Sequence, residues 1–111
     1  MLNDLFVEVN IELLLCAACL RPSNSFHAFD KQKLLRLAQF YPKEFSTSES
    51  LLLAYQLDKY ILDMRSDKRF SKLNRLGDLS RMLFETKKHN IYPLVYLLLK
   101  LALLLPFTAP L

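Results

Sequence analysis

Glycine is almost absent from this 111-residue chain, occurring once, as Gly77. That excludes a glycine-rich phosphate-binding loop. It also argues against hairpin-rich β architectures, which rely on glycine in tight turns. Cysteine occurs twice, as Cys16 and Cys19, and histidine twice, as His27 and His89. A structural zinc site needs four ligands, usually two pairs, and the two histidines are not paired with each other. Positive charge is missing near the N-terminus, which instead carries Asp4, Glu8 and Glu12. A secretory signal needs the opposite sign before its apolar stretch, so a reducing intracellular setting is the default expectation.

What remains is an apolar share of 52%, rich in leucine, a strong helix former. The chain is long enough for one domain at most. An all-α fold of about five short helices is expected. The apolar residues Leu2, Leu5, Phe6, Val9, Leu13, Cys16, Ala17 and Leu20 recur at helical spacing over residues 2–20. Arg21-Pro22-Ser23-Asn24-Ser25 breaks that pattern. Asp30 suits the N-cap of a second helix, which Pro42 ends. Ser46-Thr47-Ser48-Glu49 is a capping box opening a third helix, with Leu53, Leu57, Tyr60, Ile61 and Met64 on one stripe. Residues 65–75 read as a basic linker or a short irregular helix. A fourth helix is expected over 76–88, with Leu76, Leu79, Met82 and Leu83 inward. A fifth runs from Pro93 to about 105, with Pro106 as its stop.

Charge is uneven. Residues 1–60 hold six Lys/Arg against seven Asp/Glu, and residues 61–111 hold nine against four. The excess lies in Arg65, Lys68, Arg69, Lys72, Arg75, Arg81, Lys87 and Lys88, too sparse for a nucleic-acid stripe and read as a solvated face.

Candidate chemistry is thin. Cys16-Ala17-Ala18-Cys19 falls late in a helix, whereas a redox pair belongs at a helix N-terminus after a strand. It reads as two buried thiols packing as small apolar groups. His27 in a loop and His89 at a helix C-terminus read as structural. Asp58 and Asp63 are five residues apart and share no helix face well. Ser23, Ser25, Ser46 and Ser48 have no neighbouring base. No catalytic residue, metal, cofactor or small-molecule substrate is expected.

Residues 91–107 are apolar except for Lys100. Between Pro93 and Pro106 lie twelve residues, about 18 Å of helix, against a hydrocarbon core of ~30 Å that needs about 20 residues. Lys100 would add an insertion cost of about 2.5–3.5 kcal/mol. A buried core helix and an oligomer interface are the stronger readings, and they are compatible, because so small a chain is expected not to cover such a helix alone.

Two segments carry a resemblance. The first is Phe29-Asp30-Lys31-Gln32-Lys33-Leu34-Leu35-Arg36-Leu37-Ala38, followed by Phe40-Tyr41-Pro42-Lys43-Glu44-Phe45-Ser46. The second is Glu85-Thr86-Lys87-Lys88-His89, followed by Tyr92-Pro93-Leu94-Val95-Tyr96-Leu97-Leu98-Leu99-Lys100-Leu101-Ala102-Leu103-Leu104-Leu105-Pro106. Both resemble plant zinc finger MYM-type 1-like proteins, relatives of hAT transposases. Gln56-Leu57-Asp58-Lys59-Tyr60 resembles the start of the hAT C-terminal dimerisation region, and Leu13-Leu14-Leu15-Cys16 with Cys19-Leu20 fits the stretch before it.

The resemblance implies a piece of a larger RNase H-like transposase fold, with residues 1–45 upstream of the dimerisation region and residues 46–111 a truncated form of it. The family's next motif, Glu-Arg-x-Phe-Ser, supplies its last catalytic carboxylate. Here the chain reads Phe107-Thr108-Ala109-Pro110-Leu111 instead. A non-enzymatic interaction fragment is therefore expected, since strand transfer needs carboxylates gathered around metal ions. The expected partner is a second copy or a longer transposase-like relative, with neither nucleic acid nor membrane bound by the chain alone. The expected core or dimer interface is Tyr92, Leu94, Val95, Leu97, Leu98, Leu101, Leu104 and Leu105. Of these, Leu97, Leu98, Leu101 and Leu104 are expected to lack partners within the chain. The resemblance implies a nuclear location, with the cytoplasm as the alternative. The rival readings are a membrane-associated protein using residues 91–107 and a decayed gene product without a selected function.

Overall fold

A computed structural model describes residues 2–105, with side chains from Glu8 onward. All regular structure among them is helical. The elements are α1 (Leu2–Ala17), a 3₁₀ turn (Ala18–Leu20), α2 (Ser23–Phe26), α3 (Lys31–Gln39), α4 (Thr47–Ser66), a 3₁₀ turn (Lys68–Phe70), α5 (Leu76–Glu85) and α6 (Pro93–Leu103). The expected all-α class holds, and the expected break at 21–25 leads into a short turn at Ser23–Phe26 whose last three residues are left-handed.

The helices pack in a row: α1 on α3, α3 on α4, α4 on α6, and α6 on α5. The resulting body measures 47 × 31 × 20 Å. Its short dimension is about two helix diameters, so outer helix faces go uncovered. Leu53, Leu57, Tyr60, Ile61 and Met64 of α4 are all buried, as the capping-box helix implied. They meet Leu34, Leu37, Ala38, Leu79, Leu83, Val95, Leu98, Leu99 and Ala102 in one core.

Helix starts follow local chemistry. The Asp30 carboxylate accepts from the Lys33 N–H at 3.1 Å. At α4 the Ser46 hydroxyl accepts from the Glu49 N–H at 3.2 Å, and the Glu49 carboxylate accepts from the Ser46 N–H at 3.0 Å. These bonds hold the Glu49 carboxyl below its ordinary range, the backbone bond first.

Several expectations need correction. Val9, placed inward by periodicity, is 36% exposed, and Ile11 and Leu15 are exposed as well. For Val9 the reason is length, since α1 runs about 24 Å and its neighbour α3 only about 14 Å; Leu15, beside the buried Cys16 and Ala17, instead faces outward. Leu2, Leu5 and Phe6 lie outside the described side chains. Gln56, off the expected apolar stripe of α4, is nevertheless buried. The fourth helix stops at Glu85 rather than 88, because Lys87 turns left-handed with φ 61°. Met82 is half-buried. The fifth helix ends at Leu103, two residues earlier than expected. Pro106, read as its stop, and residues 107–111 lie outside the described residues.

The loop at 21–25 holds the least expected backbone. Asn24, Ser25 and Phe26 all have positive φ, at 53°, 57° and 61°. Left-handed geometry costs non-glycine residues roughly 1–2 kcal/mol each. Two contacts offset that cost. Phe26 is buried edge-on against Tyr60, ring centroids 6.1 Å apart. Arg65 of α4 donates to the Ser25 carbonyl at 3.1 Å and to the Phe26 carbonyl at 3.2 Å.

Candidate interaction surface

α6 has two kinds of side. Tyr92 at its N-cap and Val95, Leu98, Leu99 and Ala102 along it are buried against α4 and α5. The expectation that Leu98 would lack partners is therefore overturned: α4 and α5 cover it completely. Leu94, Leu97 and Leu101 are half-buried at the edge of the core, as is Leu105 beyond the helix. Leu104 is 79% exposed and Leu103 is 40% exposed. Leu94, Leu97, Leu101 and Leu104 follow one another at intervals of three, four and three. That spacing sets four leucines along one stripe, in the a/d pattern of a helix seam. Lys100 stays in solvent with its ammonium 5.4 Å from the Tyr96 ring centroid.

The base of α6 is fastened by polar groups that the sequence did not assign to it. Pro93 occupies the first helical position, where no N–H is needed. The next amide, Leu94 N–H, donates to Gln56 Oε1 at 3.0 Å, so a side chain from α4 caps α6. The Tyr92 hydroxyl donates to Asp63 Oδ2 at 2.8 Å. Burial, and then the Asp63 carboxylate, push this phenol up to about 12. Lys88 Nζ bonds both Asp63 and Asp67, the latter at 3.0 Å. Burial draws the Lys88 ammonium down, but its two carboxylate bonds outweigh this and its ionisation lies above the ordinary value. The Arg69 guanidinium, bonded at 2.7 Å, holds the Asp67 carboxyl well below the usual range, with Lys88 adding to it against the opposing effect of burial.

This network takes Lys88 out of the basic stretch read as a solvated face, whose other named residues are exposed as expected. Lys88 is 13% exposed at its side chain, and Arg65 clamps a distant turn. Asp58 and Asp63 indeed go separate ways, Asp58 pairing with Lys31 at 2.9 Å. His89 lies beyond the α5 cap, its ring stacked on Phe84 with centroids 4.7 Å apart and tilted against Tyr96 at 5.3 Å.

Sequence reasoning missed a second apolar surface. Leu51, Leu52, Tyr55 and Leu62 lie on the outer side of α4, each more than half exposed. The usable signal was present, because α4 has large apolar residues on both sides and so no clean polar face.

Chemistry is sparse. Cys16 and Cys19 are both buried. Burial pushes each thiol upward, away from reactive thiolate. Cys19 Sγ lies 3.6 Å from the Leu15 carbonyl. No group of three His, Cys, Asp or Glu among the described residues could hold a metal ion. No described helix is long and apolar enough to cross a membrane. Comparison of the chain with models of protein families, with curated proteins and with solved structures finds no match.

Proposed function

We propose that this chain is a non-catalytic, transposase-derived interaction module that pairs through α6 with a second copy or with a longer transposase-like relative. One observation carries the interaction: four leucines at a/d spacing, three half-buried and Leu104 exposed, line one stripe of a helix whose opposite side is bolted to the core. The transposase origin is supported by the residues quoted above, the Tyr92-Pro93-Leu94 and Leu105-Pro106 frame most specifically. That resemblance also favours a nuclear location.

The energetics set the working range. Covering the open part of each leucine contributes about 1 kcal/mol, from roughly 1.5–3 kcal/mol for full burial. A twofold interface doubles the set, giving about 8 kcal/mol. Association itself costs about 4–15 kcal/mol. The leucines alone thus leave a weak dimer, and flanking contacts must bring it to micromolar strength.

Sedimentation of the purified chain from low to high micromolar concentration tests this. The monomer is 13.0 kDa, and the expected result is a concentration-dependent rise toward twice that mass. Leu101→Glu should abolish the rise while leaving the helical circular dichroism intact. A monomer at every concentration, both alone and mixed with a longer relative, overturns the proposal.

A further inference from the structure

A second feature lies at the loop joining the first 3₁₀ turn to α3. Arg21, Ser23, Asn24, His27 and Ala28 line a cleft of about 230 Å³. Its lining offers a guanidinium, a hydroxyl, a carboxamide and an imidazole, and no carboxylate. The Arg21 side chain has no hydrogen-bond or ion-pair partner among the described residues. Of the other arginines, Arg36 is matched to Glu12 at 2.6 Å, Arg69 to Asp67 at 2.7 Å and Arg65 to two carbonyls, while Arg75, like Arg21, has no side-chain partner among the described residues. A cation left unmatched beside polar donors is what an anion site needs before its ligand arrives.

The backbone supports the same conclusion. Ser23 and Asn24 sit in the turn whose Asn24, Ser25 and Phe26 are left-handed. Strained backbone of this kind persists only where its surroundings over-determine it, and it gathers at binding sites. Here Phe26 is anchored in the core and Arg65 grips two carbonyls of the turn. Those contacts fix the backbone of the turn that carries Asn24 and leads into His27.

We propose that this cleft binds a phosphate-sized oxyanion. Arg21 supplies a planar fork that matches two oxygens at once. His27 faces the ligand from the other end of the loop, and Ser23 Oγ and Asn24 Nδ2 donate to the remaining oxygens. The ligand is inorganic phosphate or the phosphate group of a small phosphorylated molecule, which present the same oxygens. This inference does not depend on the pairing of α6.

Amide chemical shifts recorded during titration separate the cases. One arm uses inorganic phosphate, a second O-phosphoserine. Saturable shifts of residues 21–28 are expected in at least one arm. If phosphate binds tighter, the free ion is the ligand; if phosphoserine binds tighter, a phosphate ester is. Arg21→Gln and His27→Gln should each weaken binding about tenfold or more, while Arg75→Gln, another arginine with no side-chain partner among the described residues, should leave it unchanged. The spectrum itself reports whether each variant is folded. Absence of saturation up to about 20 mM, below even weak specific affinity, overturns the proposal. So does an equal loss in Arg75→Gln, which would mean diffuse attraction to net positive charge.

Discussion

Removing one oxygen atom from Tyr60 should stabilise this protein. Tyr60 is 1% exposed, in the middle of an aromatic row, its centroid 6.1 Å from Phe26 and 5.6 Å from Tyr92, both edge-on. Its buried hydroxyl has no hydrogen-bond partner among the described residues. Burial pushes its ionisation far above the ordinary tyrosine range, with Tyr92 a lesser cause. An unmatched buried hydroxyl costs about 1–3 kcal/mol. Tyr60→Phe removes that cost and keeps the ring contacts, losing under about 1 kcal/mol of dispersion at the vacated oxygen. The net expectation is a gain of about 1 kcal/mol, or roughly 4–6 °C in Tm for a domain of this size.

Tyr92→Phe deletes the same atom from the neighbouring ring with the opposite result. That hydroxyl donates to Asp63 Oδ2 at 2.8 Å, and a bond to a charged acceptor contributes about 1.5–3 kcal/mol. Urea unfolding followed by circular dichroism, with Tm from calorimetry, should separate the two variants by about 2–4 kcal/mol. Destabilisation by Tyr60→Phe of more than about 1 kcal/mol would refute the reasoning, because it would mean that the hydroxyl has a partner. Equal effects from both variants would refute it too.

Three further outcomes are expected. Arg65→Ala should destabilise by about 2 kcal/mol in urea unfolding, because two charge-assisted bonds to the left-handed turn are lost. The amides of residues 23–27 should then exchange with solvent first. Lys87→Gly should raise stability by about 1 kcal/mol in the same assay, since Lys87 has φ 61° at the α5 cap and glycine carries no Cβ penalty there. Asp67 lies below its ordinary value of 3.8, so its pairing contributes above that pH and is lost as pH falls further. Lys88 lies above its ordinary 10.5, so its contribution is complete below that pH and is lost as pH rises through the folded value. Urea midpoints measured across pH should therefore fall at both extremes, and Asp67→Asn should flatten the acid limb.

Helix identity was legible because its causes are local. The capping box at Ser46–Glu49, the Asp30 cap and Pro93 at the first position of α6 act within one turn, and each does what its residue type predicts. The stripe of α4 was legible too, since Leu53, Leu57, Tyr60, Ile61 and Met64 recur at the helical period. Two buried thiols could be read from Cys16 and Cys19 for the same reason.

The roles of polar residues were not legible, because their partners are distant in the chain. Gln56 caps an amide thirty-eight residues away, Tyr92 reaches Asp63 across twenty-nine, and Arg65 clamps carbonyls forty and thirty-nine away. Periodicity assigns such residues to solvent whenever their spacing departs from the apolar stripe. The left-handed turn at Asn24–Phe26 was likewise invisible, for it is imposed by Phe26 in the core and Arg65 rather than by any glycine.

By itself, then, the amino-acid order determined that the chain is helical, where most helices begin, and that the last one is apolar apart from Lys100. Which side of α6 is spent inside the molecule, and which leucines are left over, was decided only when α4 and α5 packed against it. The physical reason is that propensity and capping are settled between neighbours in sequence. Burial and buried hydrogen bonds are settled between neighbours in space.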